Sequence, residues 1–199
     1  MNIPKTEKGL SNKISKIRAQ FRRLKQEYGF INDGSGTRYY LFYLYFLLND
    51  NKRSAEYIRW YEKEFPDDVG EPVQLLCWAL MQHRIGKEAA IRLRVAMLSN
   101  IYLIPYLLGE PIERIDSWFG SDDETPEYLE YLPEQVRNAI TDSDLEWIKE
   151  MYYSEEFQQA LNRHKEIKQK LVFLPVGTER FALVNEDFQL RYARDLRST

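Results

Sequence analysis

The sequence predicts an all-α chain of stacked antiparallel helix pairs closed by a small C-terminal β-hairpin. Apolar residues recur at helical spacing from Leu10 to Leu171, interrupted by short turns of Gly, Pro, Asn and Asp. The helix–turn–helix unit repeats after about 33 to 35 residues, from Phe65 to Ser99, the range of helix-pair solenoids. A β-type alternation enters only after Leu171. With 199 residues the chain fits one compact domain. The expected division is a helical-repeat domain over 1–170 and a hairpin with its tail over 171–199.

Residues 10–28 form the first predicted helix, with Leu10, Ile14, Ile17, Phe21, Leu24 and Tyr28 on one face and Lys13, Lys16, Arg18, Arg22, Arg23 and Lys25 on the others. An apolar seam of that kind has to dock on something. Gly29 to Thr37 is a loop, and Ser35 or Thr37 is the expected N-cap of the next helix. A phosphate loop needs a lysine that its Gly34-Ser35-Gly36-Thr37 end lacks. Helix two, Arg38 to Asn49, is apolar nearly all round and so packs on more than one side. Helix three, Ser54 to Phe65, follows a short turn and stops at Pro66, which makes the two antiparallel neighbours. The scheme repeats with Pro72 opening helix four (Val73 to Ile85), Gly86 ending it, and helix five running from Lys87 to Ser99.

Helix five carries Ala89 and Ala96 seven apart, and it runs into Asn100-Ile101-Tyr102-Leu103-Ile104-Pro105-Tyr106-Leu107-Leu108-Gly109. The alanine spacing resembles the second helix of tetratricopeptide repeats. The following stretch is similar to an Asn-Pro-Tyr-Val-Pro-x-Tyr-Leu-Leu-Gly signature of some tetratricopeptide-like proteins, many of them without an assigned function. Asn100, Tyr102, Pro105, Tyr106, Leu107, Leu108 and Gly109 match it, and Ile101 replaces its first proline. The resemblance covers about residues 38–165 and implies a helix-pair fold with a protein-binding role and no catalytic residues. In such a stack the first helix of each pair lines the concave surface, which makes Tyr40, Tyr43, Gln74 and Trp78 the candidate partner-binding residues. Asn100, Tyr102, Pro105, Tyr106 and Gly109 are expected to form a structural bend: Pro105 lacks an N–H and biases Ile104 away from helix.

The second half continues helical. A surface loop over Gly120 to Pro126 leads to short helices through Leu132 and Val136. Ser143 with Glu146 reads as a capping box launching the next helix. Phe157, Leu161, His164, Ile167 and Leu171 line the last long one. Leu171 to Leu174, a Pro175-Val176-Gly177-Thr178 turn and Arg180 to Val184 make the expected hairpin, with a short helix through Phe188 and Tyr192 after it.

Charge is unevenly placed. Residues 1–28 carry eight Lys or Arg against two acids, and residues 110–156 carry three against fifteen. The basic helix is therefore expected to dock on its own acidic region or on that of a second copy, giving a possible homo-oligomer through residues 10–28. Nucleic acid is disfavoured as partner by the acidic half. The single cysteine, Cys77, excludes an internal disulfide and reads as a core thiol. His83 and His164 fall in no metal-ligand spacing, and Asp122-Asp123-Glu124 lacks the pattern of a calcium loop. No cofactor and no metal are expected. No apolar run is long enough to span a bilayer, and the N-terminal residues hold no apolar signal-peptide core, so the expected location is cytoplasmic. The function expected is a non-catalytic protein-interaction module or scaffold that binds another protein or a peptide. Its rivals are a nucleic-acid binder acting through the basic helix and an enzyme whose residues converge only in the fold.

Overall fold

A computed structural model describes residues 2–192, and they are helical, with no strand among them. In order come α1 (Glu7–Tyr28), α2 (Thr37–Leu48), α3 (Asn51–Glu64), α4 (Pro72–Arg84), α5 (Ala90–Ser99), α6 (Leu103–Leu107), α7 (Glu134–Asn138), α8 (Asp142–Tyr152), α9 (Glu155–Phe173) and α10 (Thr178–Tyr192). Two 3-10 turns, Asp122–Glu124 and Pro126–Tyr131, lie between α6 and α7.

The core is built on α2 and α4, which touch each other; α1 and α3 pack on α2, and α5 packs along α4. Because α2 is apolar on every side, it is buried from Tyr40 to Phe46. The Phe42 ring is its centre, with the rings of Tyr57, Tyr61 and Trp78 at 4.9, 4.8 and 5.3 Å. Such offset and edge-on pairs add to the area they bury. On the far side of α5 lie α9 and α10.

The α1 seam docks as an apolar seam must. Leu10, Ile14, Ile17 and Phe21 are buried, with Phe21 stacked on Trp60 at 5.9 Å and Arg18 lying 3.6 Å over the same indole. Its seat is α2 and α3, not the acidic 110–156 region. Its anionic partner is Glu64 of α3, 2.5 Å from Lys25. Apolar area outweighs opposed surface charge, which contributes little in water. Lys8, Lys16, Arg22 and Arg23 consequently stay exposed on the outer face.

Two caps differ from expectation. Ahead of α2 neither Ser35 nor Thr37 caps; the buried Asp33 carboxylate reaches forward and accepts from the Thr37 and Arg38 N–H groups at 3.0 and 2.7 Å. Gly36 takes φ 67°, which brings those amides to it. The capping box of α8 is Thr141 with Asp144, two residues before the Ser143 and Glu146 pair. Asp144 also receives Arg84 at 2.6 Å, a partner Glu146 lacks.

The expected C-terminal hairpin is absent. Leu171 to Phe173 end α9, and Arg180 to Val184 lie in α10. Leu171 continues the buried stripe of α9, so burial overrides local β propensity. Arg180 Nη1 donates to the carbonyls of Leu171 and Leu174 at 2.5 and 2.8 Å, satisfying the end of α9 and turning the chain back. The expected boundary at 170/171 therefore falls inside α9, and residues 193–199 of the expected tail lie outside the described residues.

Candidate functional site

The four residues expected to line a groove are interior. Tyr40, Tyr43, Gln74 and Trp78 are all buried. The Tyr40 hydroxyl donates to the Asn2 carbonyl at 2.8 Å, because α1 and the residues before it cover this face. The Tyr43 hydroxyl donates to the Glu71 carboxylate, which caps α4 by accepting from Val73 and Gln74 N–H at 3.2 and 2.7 Å. Burial pushes the Glu71 carboxyl up to about 7, against those hydrogen bonds. Trp78 sits between Phe42 and Arg92, whose guanidinium lies 3.8 Å over the indole. Gln74 Nε2 and Trp78 Nε1 have no acceptor among the described residues.

The chain breaks at Asn100, which is extended between α5 and α6, and not at Pro105: Ile104, expected outside helix, lies in α6. Asn100 is buried: its Nδ2 donates to the Asp123 and Thr125 carbonyls at 2.7 and 2.9 Å, and its Oδ1 accepts from Tyr102 N–H at 3.0 Å. One side chain thus ends α5 and holds the loop after α6. Pro105 lies in the first turn of α6, where its missing N–H costs nothing. The Tyr102 hydroxyl accepts from Ile115 N–H at 3.3 Å, and Tyr106 accepts from Arg137 at 3.0 Å. Gly109, at φ 72°, closes α6.

A polar centre lies where α9, α10 and the Asp122–Glu124 turn meet. His164 Nδ1 donates to Asp187, and Arg191 donates to Asp187 at 2.7 Å and to Glu124 at 2.8 Å. Lys168 completes the set, 2.7 Å from Glu124. Burial lowers the His164 pKa despite Asp187, so the ring is neutral at pH 7. Burial would raise the Asp187 carboxyl, but His164 and Arg191 hold it at about 2. Beside His164 is a void of about 10 Å³ lined by Ser99, Ser117, Trp118 and Lys168; its volume matches one water. The buried Ser99 Oγ has no partner among the described residues. Ser99 and His164 thus line one small space, and Asp187, outside its lining, holds the His164 ring. Asp187 and Arg191 were missed in the sequence; their only signal was spacing, since His164 with Lys168 and Asp187 with Arg191 are polar pairs four apart on one face of helices that carry many other polar residues.

An open hollow of about 500 Å³ is lined by Asn49, Asn51, His83, Arg84, Thr141, Ser143 and Asp144. Arg84 is engaged there by Asp144, Asn49 and the Ala139 carbonyl. No group of three or more His, Cys, Asp or Glu among the described residues is placed to hold a metal ion. Cys77 is fully buried, and burial raises its thiol pKa well above the ordinary value.

Several exposed apolar side chains lie on the α9–α10 pair, while Tyr28, Phe30, Val69, Tyr131 and Tyr153 are exposed elsewhere. Phe173 is 81% exposed, Val176 97%, Phe181 68% and Phe188 50%. The first three lie within about one turn of the loop joining the helices. Phe181 and Phe188 are seven apart on one stripe of α10, and the Phe188 ring rests 4.8 Å from Tyr192. The inner stripe of α10 holds Asp187, its one fully buried residue among those described. The helix is thus tied down by polar atoms and turns large apolar rings outward. No described helix is long and apolar enough to cross a membrane. Comparison of the chain with protein-family models, with curated proteins and with solved structures found no match.

Proposed function

We propose that the chain is a non-catalytic protein-interaction module of the tetratricopeptide-like kind, working in the cytoplasm. Its docking surface is the apolar end of α9 and α10 rather than a concave groove lined by Tyr40, Tyr43, Gln74 and Trp78. The observation that carries this reading is the exposure of Phe173, Val176, Phe181 and Phe188 on one helix pair, the other exposed rings, Tyr28, Phe30, Tyr131 and Tyr153, being spread over other parts of the chain. Clustered apolar surface of that kind marks an interaction site. The buried polar centre supports it by fixing α10 in place, which presents the rings on a preorganised surface. A photo-crosslinking residue at Phe181 or Phe173 is expected to give discrete protein adducts, and one at Lys63 on the exposed face of α3 none. Equal labelling from both places would overturn the assignment.

A second reading rests on the outer face of α1, where Lys8, Lys16, Arg22 and Arg23 are exposed. It assigns that face to a nucleic-acid backbone. Binding to a mixed-sequence RNA or DNA should then weaken steeply with salt and disappear in a variant with Lys16→Glu and Arg23→Glu. No binding at physiological salt would remove this alternative.

A further inference from the structure

We infer that α10 is a pH-sensitive strap: its polar latch on α9 opens when His164 takes up a proton, and the helix undocks while the rest of the fold stays intact.

The first ground is how α10 is held. Every other described α-helix buries at least one apolar side chain, from Leu10, Ile14, Ile17 and Phe21 of α1 to Phe157, Leu161 and Ile167 of α9. In α10 the one buried residue is Asp187, and Leu183, Val184, Leu190 and Tyr192 are only partly covered. Its attachments are polar instead: Asp187 to His164, Arg191 to Glu124 at 2.8 Å, Glu186 to Arg163 at 2.6 Å and Arg180 to the carbonyls that end α9. Apolar burial holds at any pH, whereas contacts between ionised groups depend on their protonation.

The second ground is the charge balance around His164. Asp187 and Arg191 face it from α10, Lys168 and Lys165 flank it on its own helix, and Glu124 closes the cluster from the 3-10 turn. From α5 comes the uncharged Ser99, while Arg94 of that helix is engaged by Glu156; the segment 115–119 adds Ser117 and Trp118, also uncharged. Lys168 and Arg191 are matched by Glu124 and Asp187, two cations to two carboxylates. Neutral His164 completes this set as a donor. Protonated, it adds a further cation at a position only 3% exposed, beside Lys168 at 4%. Undocking α10 lets water reach that charge and uncovers no fully buried apolar side chain of the helix.

The same groups set the pH window. Burial holds His164 below its ordinary 6.5 while the latch is closed, and release restores that value. Latching is therefore complete above pH 6.5 and weakens as pH falls below it. Burial would raise both carboxyls, but His164 and Arg191 hold Asp187 at about 2, and Arg191 and Lys168 hold Glu124 below 4.5. Neither is protonated before His164. Glu71, in the cap of α4, acts in the opposite sense, so acid favours the core while it loosens α10.

Hydrogen exchange of the full chain, read by mass spectrometry and corrected for the intrinsic pH dependence of exchange, tests this. Peptides from 178–192 should exchange roughly tenfold faster at pH 5 than at pH 7.5, relative to those from α2 and α4. His164→Asn keeps a donor for Asp187 and takes up no proton, so it should abolish the difference. Glu124→Gln leaves the cluster one carboxylate short and should loosen α10 already at pH 7.5, which keeps the test decisive should His164→Asn not fold. Equal protection of α10 at both pH values would overturn the inference, as would undiminished protection in Glu124→Gln. So would a pH effect that persists in His164→Asn or that spreads evenly over α2, α4 and α10.

Discussion

The Nδ1–H of His164 donates to the carboxylate of Asp187 at 2.5 Å, joining α9 to α10 through buried polar atoms. Asp187 also accepts from Arg191 and lies 3.8 Å from Lys168, so it shares with Glu124 the balancing of two buried cations. Removing it with Asp187→Ala leaves Glu124 alone against both and His164 without its acceptor, and should cost about 3–5 kcal/mol. Asp187→Asn keeps an acceptor for His164 and should cost less. Urea unfolding at pH 7 measures both. Equal midpoints for wild type and Asp187→Ala would show that the centre is solvated and α10 is held by other contacts.

Two buried groups give stability opposite pH dependences. Glu71 titrates at about 7 in the fold against an ordinary 4.5, because burial penalises its charge. The folded state therefore holds a proton that the unfolded chain has lost. The stability Glu71 contributes is complete below pH 4.5 and is lost as pH rises through about 7. His164 is lowered below 6.5 by burial, so the unfolded chain takes up a proton first and stability falls as pH drops from that value. Glu71→Gln should remove the first effect alone. The variant's stability relative to wild type should improve by about 1–3 kcal/mol between pH 4.5 and pH 7. Parallel stability curves for the two proteins would contradict a raised Glu71.

Asn100→Ala withdraws a donor from two carbonyls and an acceptor from the Tyr102 amide, all on buried or half-buried backbone. About 2–4 kcal/mol should be lost, the range for leaving more than one such group unpaired. Hydrogen exchange should quicken first in residues 100–125, the segment this side chain ties to α5. Uniform exchange across the chain would deny it that local role.

Phe21→Ala should cost about 3–5 kcal/mol by opening a cavity between α1 and the Trp60 and Phe65 rings. Ala96→Leu, at a fully buried position in α5, should cost about 1–3 kcal/mol by overpacking. Thermal unfolding followed by circular dichroism reads both. An unchanged midpoint for Phe21→Ala would mean that α1 is docked elsewhere, and an unchanged midpoint for Ala96→Leu that the α5 face yields freely.

What the sequence determined by itself is the run of helices before Leu171 and the need of their apolar faces to be covered. The seam of Leu10, Ile14, Ile17 and Phe21 required docking, the all-apolar α2 required packing on several faces, and Pro72, Gly86 and Gly109 marked helix ends through backbone geometry alone. The break between α5 and α6 falls at Asn100, five residues before the Pro105 that was expected to make it, because a proline fits the first turn of a helix. The tertiary structure decided what each face met. Tyr40 and Trp78 became interior because α1 and Arg92 occupy the sides a groove would have left open, and nothing local to α2 or α4 encodes that. Leu171 to Val184 reads as two strands in isolation. Both arms are helical because Asp187 finds His164, Arg191 finds Glu124, and Arg180 finds the carbonyls that end α9. Those are contacts between segments, and their free energy exceeds the few tenths of a kcal/mol per residue by which local propensity prefers one conformation.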